Sequence, residues 1–226
     1  MAGIAENLQA IRSQITAAQL PGNPPVTLVA VSKSQPIDLI EEIIDAGQRV
    51  FGENYVQEAV EKIKALEKHR LEWHFIGPVQ SNKTKLIAEN FDWVQSVDRL
   101  KIAERLNEAR PAEKPRLNIC LQVNVSGETS KSGMTPDQVE TLAREVMRLP
   151  RLQLRGLMAI PEAEANEAEQ RKAFREMKKL FEQLKQQGYP IGTLSIGMSG
   201  DFKAAIAEGA THVRVGTAIF GERKKP

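Results

Sequence analysis

The 226-residue chain alternates from end to end between apolar, β-branched segments and amphipathic helical segments, and this alternation most constrains its fold. Strands that are separated by helices pair in parallel, through right-handed crossovers. Eight such units predict an α/β fold, a compact (β/α)8 TIM barrel, with an extra N-terminal helix whose apolar residues recur from Ile4 to Ile15. An open, doubly wound sheet is the alternative. The eight strand segments read VTLVAVS, RVFGEN, EWHFIG, FDWVQSV, RLNICLQVNV, LQLRGLMAI, GTLSIG and THVRVG.

The predicted helices carry end signals, and no linker interrupts them. Pro36 suits the first position of the helix after strand one, and Gly47 suits its carboxyl-terminal cap. Thr135 and Gln138 have the spacing of a capping box before a later helix. Because no Pro-, Gly- or Ser-rich stretch divides the sequence, we expect a single domain over residues 1–226.

Composition is that of an ordinary globular protein. Apolar residues make up 41% of the chain, charged residues 27%, and the net charge is +2. This balance gives no reason to expect nucleic acid as a partner. No apolar run reaches the length of a membrane span, and the N-terminus does not have the pattern of a signal peptide. A cytoplasmic location and a monomeric state are the simplest expectations.

The cysteine and histidines do not predict a metal site. Cys120 is the only cysteine, so an intrachain disulfide is impossible, and its apolar surroundings predict an inert buried thiol. His69, His74 and His212 do not have metal-ligand spacing, so we expect no metal. We expect His74 to be packed or hydrogen-bonded.

Two small-residue loops stand where TIM barrels bind phosphate, after strands seven and eight. The loops read GMSGDF and RVGTAIFG. Ser199, Gly200, Gly216 and Thr217 would offer hydroxyls and backbone N–H groups at helix N-termini, as a phosphate dianion requires. Two tight turns, with Ser199 as an ordinary N-cap, are the alternative. The nucleotide motifs G-x-x-x-x-G-K-[ST] and G-x-G-x-x-G do not occur.

Lys33 and Arg214 are the charged residues that these strands would bring to the same region. Lys33 follows strand one, so it should lie at the carboxyl-end rim of the barrel, with the two loops after strands seven and eight. It could be a surface lysine, a counter-ion or a Schiff-base amine there. Arg214 alternates with Val213 and Val215 and should therefore point to the opposite face. If that face is the barrel interior, the guanidinium needs either a carboxylate on a neighbouring strand or a ligand atom as acceptor.

Six stretches together resemble one family, and they run from the first strand to the last. They read LVAVSKSQP, VFGENYVQEA, WHFIGPVQSNK, QVNVSGETSKSGM, RGLMAIP and LSIGMSGDFKAAIAEGATHVRVGTAIFG. The chain is similar to the pyridoxal phosphate homeostasis proteins. That resemblance implies the barrel of the alanine racemase N-terminal domain and the cofactor pyridoxal 5′-phosphate (PLP).

The resemblance also assigns the site residues. It implies that Lys33 holds PLP as a Schiff base and that Arg214 faces the pyridine nitrogen. Asn54 and Met158 would line the pocket. The phosphate would be held by Ser199, Gly200, Gly216 and Thr217. His74 falls in a family motif but receives no chemical role.

The resemblance implies a carrier in vitamin B6 and amino-acid homeostasis rather than an enzyme, with apo-enzymes as possible PLP recipients. A charged guanidinium at the ring nitrogen disfavours a pyridinium, which makes the ring a weaker electron sink. A racemase of this type also uses a tyrosine base from a second domain, and neither Tyr55 nor Tyr189 stands in such a motif.

Two alternatives remain: a barrel-type PLP-dependent racemase and a Schiff-base aldolase acting on sugar phosphates. We also consider Lys131, on the loop after strand five, as either a second, transient amine for PLP or a solvated loop lysine.

Overall fold

The computed structural model describes residues 3–125, 132–161 and 166–221, and it confirms the barrel. Within these residues, parallel strands close in chain order, and the last strand pairs with the first. The doubly wound alternative is therefore wrong. The strands are β1 (Thr27–Val31), β2 (Val50–Glu53), β3 (Glu72–Phe75), β4 (Trp93–Val97), β5 (Leu117–Gln122), β6 (Leu152–Met158), β7 (Thr193–Ser195) and β8 (His212–Val215).

Helices surround the barrel, and the extra N-terminal helix packs against the helices that begin at Ile37, Phe202 and Thr217. The helices are α1 (Ile4–Ala18), α2 (Ile37–Asp45), α3 (Val56–Ala65), α4 (Thr84–Asn90), α5 (Leu100–Ala109), α6 (Val139–Met147), α7 (Glu167–Gln186), α8 (Phe202–Ala207) and α9 (Thr217–Phe220). Short 3₁₀ helices lie at Glu67–His69, Ser81–Lys83 and Pro136–Gln138. No helix in the described ranges is long and apolar enough to cross a membrane.

The predicted end signals are confirmed, with one shift. Gly47 follows α2 with a φ of 90°, a left-handed conformation that favours glycine. The side chain of Gln138 accepts a hydrogen bond from the backbone N–H of Thr135 at 3.3 Å, as a capping box requires. Pro36 is the N-cap of α2 rather than its first helical residue, so the helix begins one residue later than predicted, at Ile37.

The two faces of the strands differ in chemistry. Outward side chains such as Phe51 and Phe75 join the helices in a large apolar core. The interior is more polar: His74 and Arg214 are buried there, beside a small apolar cluster of Trp93, Cys120 and Met158. Burial raises the pKa of the Cys120 thiol to about 12, which agrees with an inert cysteine.

Gly156 lets β6 approach β7 more closely than any side chain would allow. A Cβ atom at this position would lie 1.7 Å from the carbonyl oxygen of Thr193 on β7. The two strands would have to separate to admit even a methyl group. The close approach therefore sets the barrel's width between these strands.

We predict that Gly156→Ala lowers the free energy of unfolding by about 3 kcal/mol or more, because overpacking a closed barrel displaces backbone. Gly192→Ala is the matched control, since nothing lies within 4 Å of its added Cβ. It should change stability by no more than about 0.5 kcal/mol. Urea unfolding of both variants measures the difference, and equal effects would contradict the close-approach argument.

Candidate functional site

Lys33 lies in a tight turn that leaves the carboxyl end of β1. The N–H of Ser32 donates to the carbonyl oxygen of Gly52 at 3.0 Å, which continues the β1–β2 pairing by one residue. The N–H of Gln35 then donates back to the carbonyl of Ser32 at 3.1 Å, closing the turn. Ser34 has a φ of 59°, a conformation that few non-glycine residues adopt. The half-buried Lys33 therefore lies in a well-defined turn at the carboxyl end of the barrel, as the sequence predicts.

A buried ion pair anchors the residue before Lys33. Ser32 donates its hydroxyl proton to the carboxylate of Glu53, at the end of β2, at 2.6 Å. The ammonium of Lys62, on α3, donates to the same carboxylate at 2.8 Å and to the Ser32 carbonyl at 2.6 Å. Ser32, Glu53 and Lys62 are all almost completely buried.

The same network reaches the residue after Lys33. The N–H of Ser34 donates to the carboxylate of Glu58 at 2.6 Å, and Glu58 also pairs with Lys62 one helical turn away. Both neighbours of Lys33 are therefore fixed to α3. Burial raises the pKa of Glu53, while the adjacent ammonium of Lys62 opposes the shift.

The two predicted phosphate loops meet. The hydroxyl oxygen of Ser199 accepts a hydrogen bond at 3.4 Å from the N–H of Ala218, in the first turn of α9. Gly216 is the N-cap of α9, and a Cβ atom there would lie 3.1 Å from the carbonyl oxygen of Val31. The loop after β8 therefore touches the end of β1, two residues before Lys33.

Ser199 is not the N-cap of α8, so that part of the alternative is wrong. Asp201 occupies the N-cap position, and its carboxylate accepts a hydrogen bond from the N–H of Met198, before the helix, at 2.5 Å. Gly200 is exposed, and apart from its two chain neighbours no atom of the described residues lies within 4 Å of a Cβ built there. The backbone at Gly200 is therefore open to an approaching group. Thr217, the first residue of α9, is also exposed.

Arg214 points into the barrel, as the alternation of β8 predicts, and it is only 3% exposed. One terminal nitrogen, Nη1, donates to the carbonyl oxygen and the hydroxyl of Ser195 at 2.8 and 2.7 Å. The other, Nη2, donates to the carbonyl of Ala159 at 2.8 Å. Burial lowers the pKa of Arg214 to about 10, so the guanidinium remains charged at neutral pH. Within the described residues, carbonyl and hydroxyl oxygens are its hydrogen-bond acceptors, rather than the neighbouring carboxylate considered above.

Asn54 and Met158 reach the same end of the barrel. Met158 is the last residue of β6 and is fully buried. Asn54 follows β2 and lines a cavity of about 360 Å³ together with Tyr55 and Lys83, and its backbone packs closely against Gly77. A Cβ on Gly77 would lie 2.5 Å from the Asn54 carbonyl oxygen. The buried Oδ1 of Asn54 has no hydrogen-bond partner among the described residues.

Some residues around this site escaped the sequence interpretation. Lys62 falls on the buried face of α3 with Val56 and Ala59, a signal that could have identified it. Ser195, the partner of Arg214, carried no such signal. Lys131, the possible second amine, lies outside the described residues.

Comparisons with known proteins agree with this architecture. The family described as "Alanine racemase, N-terminal domain" matches residues 4–224. An alanine racemase from Corynebacterium glutamicum has the same fold, with a TM-score of 0.72 at 16% identity over 98% of this chain and 61% of its own. The structure defines the class of the protein: a barrel of the alanine racemase N-terminal type.

More similar proteins narrow the class. Proteins named "Pyridoxal phosphate homeostasis protein" from Vibrio cholerae and Escherichia coli are each 54% identical, over 99% of this chain and 98% of theirs. PipY of Synechococcus elongatus, solved with PLP bound, has a TM-score of 0.85 at 40% identity, over 96% of this chain and 100% of its own. The chain belongs to the family of pyridoxal phosphate homeostasis proteins.

We predict that Lys62→Met lowers the free energy of unfolding by about 3–5 kcal/mol, because it leaves the Glu53 carboxylate buried without its counter-ion. Lys64→Met, two residues along the same helix and exposed, is the control. It should shift stability by no more than about 0.5 kcal/mol. Denaturant titrations at neutral pH compare the two, and a Lys62→Met protein as stable as the control would refute the buried ion pair.

Proposed function

We propose that the whole chain, residues 1–226, is one PLP-binding domain that holds the cofactor reversibly and serves in vitamin B6 and amino-acid homeostasis. The observation that carries this proposal is the junction of the loops after β7 and β8 beside the end of β1. In this arrangement the amine of Lys33 would lie close to two loops that are suited to a phosphate dianion. PLP carries both an aldehyde and a phosphate, so it fits both features.

Each of the predicted site residues has a group that could bind one part of PLP. The amine of Lys33 would hold the aldehyde as a Schiff base, formed with the release of one water molecule. Arg214 would donate to the pyridine nitrogen. The unpartnered Oδ1 of Asn54 is an acceptor to which a polar ligand group could donate, and Met158 supplies apolar wall. The phosphate would be bound by Ser199, Gly200, Gly216 and Thr217.

Arg214 favours holding the cofactor over catalysis. PLP supplies an electron sink for carbanions when its ring nitrogen is protonated. A guanidinium that stays charged beside that nitrogen disfavours the second positive charge. We therefore assign no catalytic residue, and the names of the 54% identical relatives support a homeostasis role rather than a racemase.

The remaining expectations belong to the same proposal. We propose a monomeric, cytoplasmic protein that delivers PLP to apo-enzymes. The mixed surface charge and the single buried cysteine are consistent with such a carrier.

We predict that borohydride fixes PLP to Lys33. The protein is incubated with PLP, reduced and digested, and the modified peptide is identified by mass spectrometry. Lys33→Ala should lose the label, together with the visible absorbance of the Schiff base. Lys203→Ala, an exposed lysine on α8 close to Gly200, should keep both.

Two outcomes would overturn the proposed function. One is a label on another lysine, or no label at all. The other is a sugar phosphate trapped on Lys33 by a protein that does not take up PLP, which would favour the aldolase alternative.

A further inference from the structure

A continuous line of hydrogen bonds crosses the barrel interior from Arg214 to the opposite rim. Arg214 Nη1 contacts the Ser195 hydroxyl at 2.7 Å, and Ser195 contacts Gln95 Oε1 at 2.6 Å. Gln95 Nε2 contacts His74 Nδ1 at 2.7 Å, and His74 Nε2 contacts a Glu72 carboxylate oxygen at 2.8 Å. We call these five residues the interior chain.

The interior chain runs from the fully buried centre of the barrel to the solvent. Ser195, Gln95 and His74 are fully buried, whereas the side chain of Glu72, at the start of β3, is 45% exposed. The chain therefore begins at the cofactor rim and ends at solvent on the other side. The ring of His74 also stacks on Trp93 at 4.9 Å with an angle of 7°, which fixes its plane.

Glu72 sets the direction of every bond in the chain. Bonding to His74 lowers the pKa of Glu72, so its carboxylate is ionised near neutral pH and can only accept. His74 Nε2 must then carry the proton. The NH₂ group of Gln95 faces Nδ1, so Nδ1 is the acceptor of that bond and the ring proton lies on Nε2.

The same donor-to-acceptor direction holds for the two hydrogen bonds that link Gln95 to Arg214 through Ser195. Since the NH₂ group of Gln95 faces His74, its carbonyl oxygen faces Ser195 and takes the hydroxyl proton. The remaining lone pairs of Ser195 are then available to Arg214. All four bonds donate in the same sense, from the cofactor rim to Glu72, and such chains polarise cooperatively.

We propose that Gln95 and His74 are positioning residues for PLP, which act on its ring nitrogen through Ser195 and Arg214. The interior chain engages the Ser195 proton elsewhere and pins one end of the guanidinium. What Arg214 presents to the rim is a fixed cationic donor, and a ring nitrogen facing it must be an unprotonated acceptor. This inference rests on the proposed function.

The decisive variant is Gln95→Leu, which keeps the side-chain volume. It removes both the NH₂ group that faces His74 and the carbonyl oxygen that accepts from Ser195. The guanidinium would keep its bonds to the carbonyl oxygens of Ser195 and Ala159, but the Ser195 hydroxyl would no longer be held in place as its third acceptor. We expect the Kd for PLP to rise about tenfold. In protein loaded with ¹⁵N-labelled PLP, the ring nitrogen resonance should move towards that of a pyridinium. Simple loss of packing would not move that resonance.

Cys120→Ala is the matched control. Cys120 is equally buried in the same interior but takes no part in the four bonds of the chain. This variant should lose stability, yet keep the ring nitrogen resonance of the original protein. If both variants keep it, or both shift it alike, the positioning role is wrong.

A measurement without substitution covers the case in which Gln95→Leu does not fold. Nitrogen NMR of the histidine side chains in the cofactor-free protein reports the tautomer of His74. The interior chain requires the Nε2–H form, and an Nδ1–H form would overturn the inference because the bonds would then run the other way.

PLP binding and the role of the interior chain are tested separately. If the original protein takes up no PLP, the proposed function fails and the inference fails with it. If it takes up PLP while Gln95→Leu leaves affinity and the ring nitrogen resonance unchanged, only the interior chain's role is refuted.

Discussion

Closure of the barrel by the pairing of β8 with β1 is the constraint on which the site depends. The register sets Val29 opposite Arg214 and Ala30 opposite Val215. This single parallel pairing brings the turn that carries Lys33 to the loop that begins at Gly216, across more than 180 residues of chain. An open sheet with the strands in this same order would leave the Lys33 amine and the loops proposed to bind phosphate at opposite edges. The proposed site therefore depends on closure as much as on the identity of any residue.

Buried charge is the second theme of the molecule. Lys62 and Glu53 on one side of Lys33, and Arg214 inside the barrel, lie where desolvation of an ion is expensive. In each case the cost is offset by several hydrogen bonds of fixed geometry. A purely apolar replacement could be as stable. What the charged groups add is orientation, of the Lys33 turn in one case and of a cationic donor in the other.

Sequence reasoning reached the barrel because its evidence is local. Each strand segment is apolar and bounded by helix signals, and the barrel rule then orders Lys33, Ser199 and Gly216 on one rim. The link between Ser195 and Gln95 was beyond that reasoning, because it joins residues 100 positions apart inside the closed barrel. Such contacts depend on register and closure, which short apolar strands do not reveal.

The most direct test of the central claim is a crystal structure of the protein grown with PLP. The account predicts continuous electron density from the Lys33 amine to the cofactor. It also places the phosphate between the Ser199–Gly200 and Gly216–Thr217 loops and the pyridine nitrogen against Arg214. Density joined to another lysine, or a phosphate bound away from these loops, would contradict it.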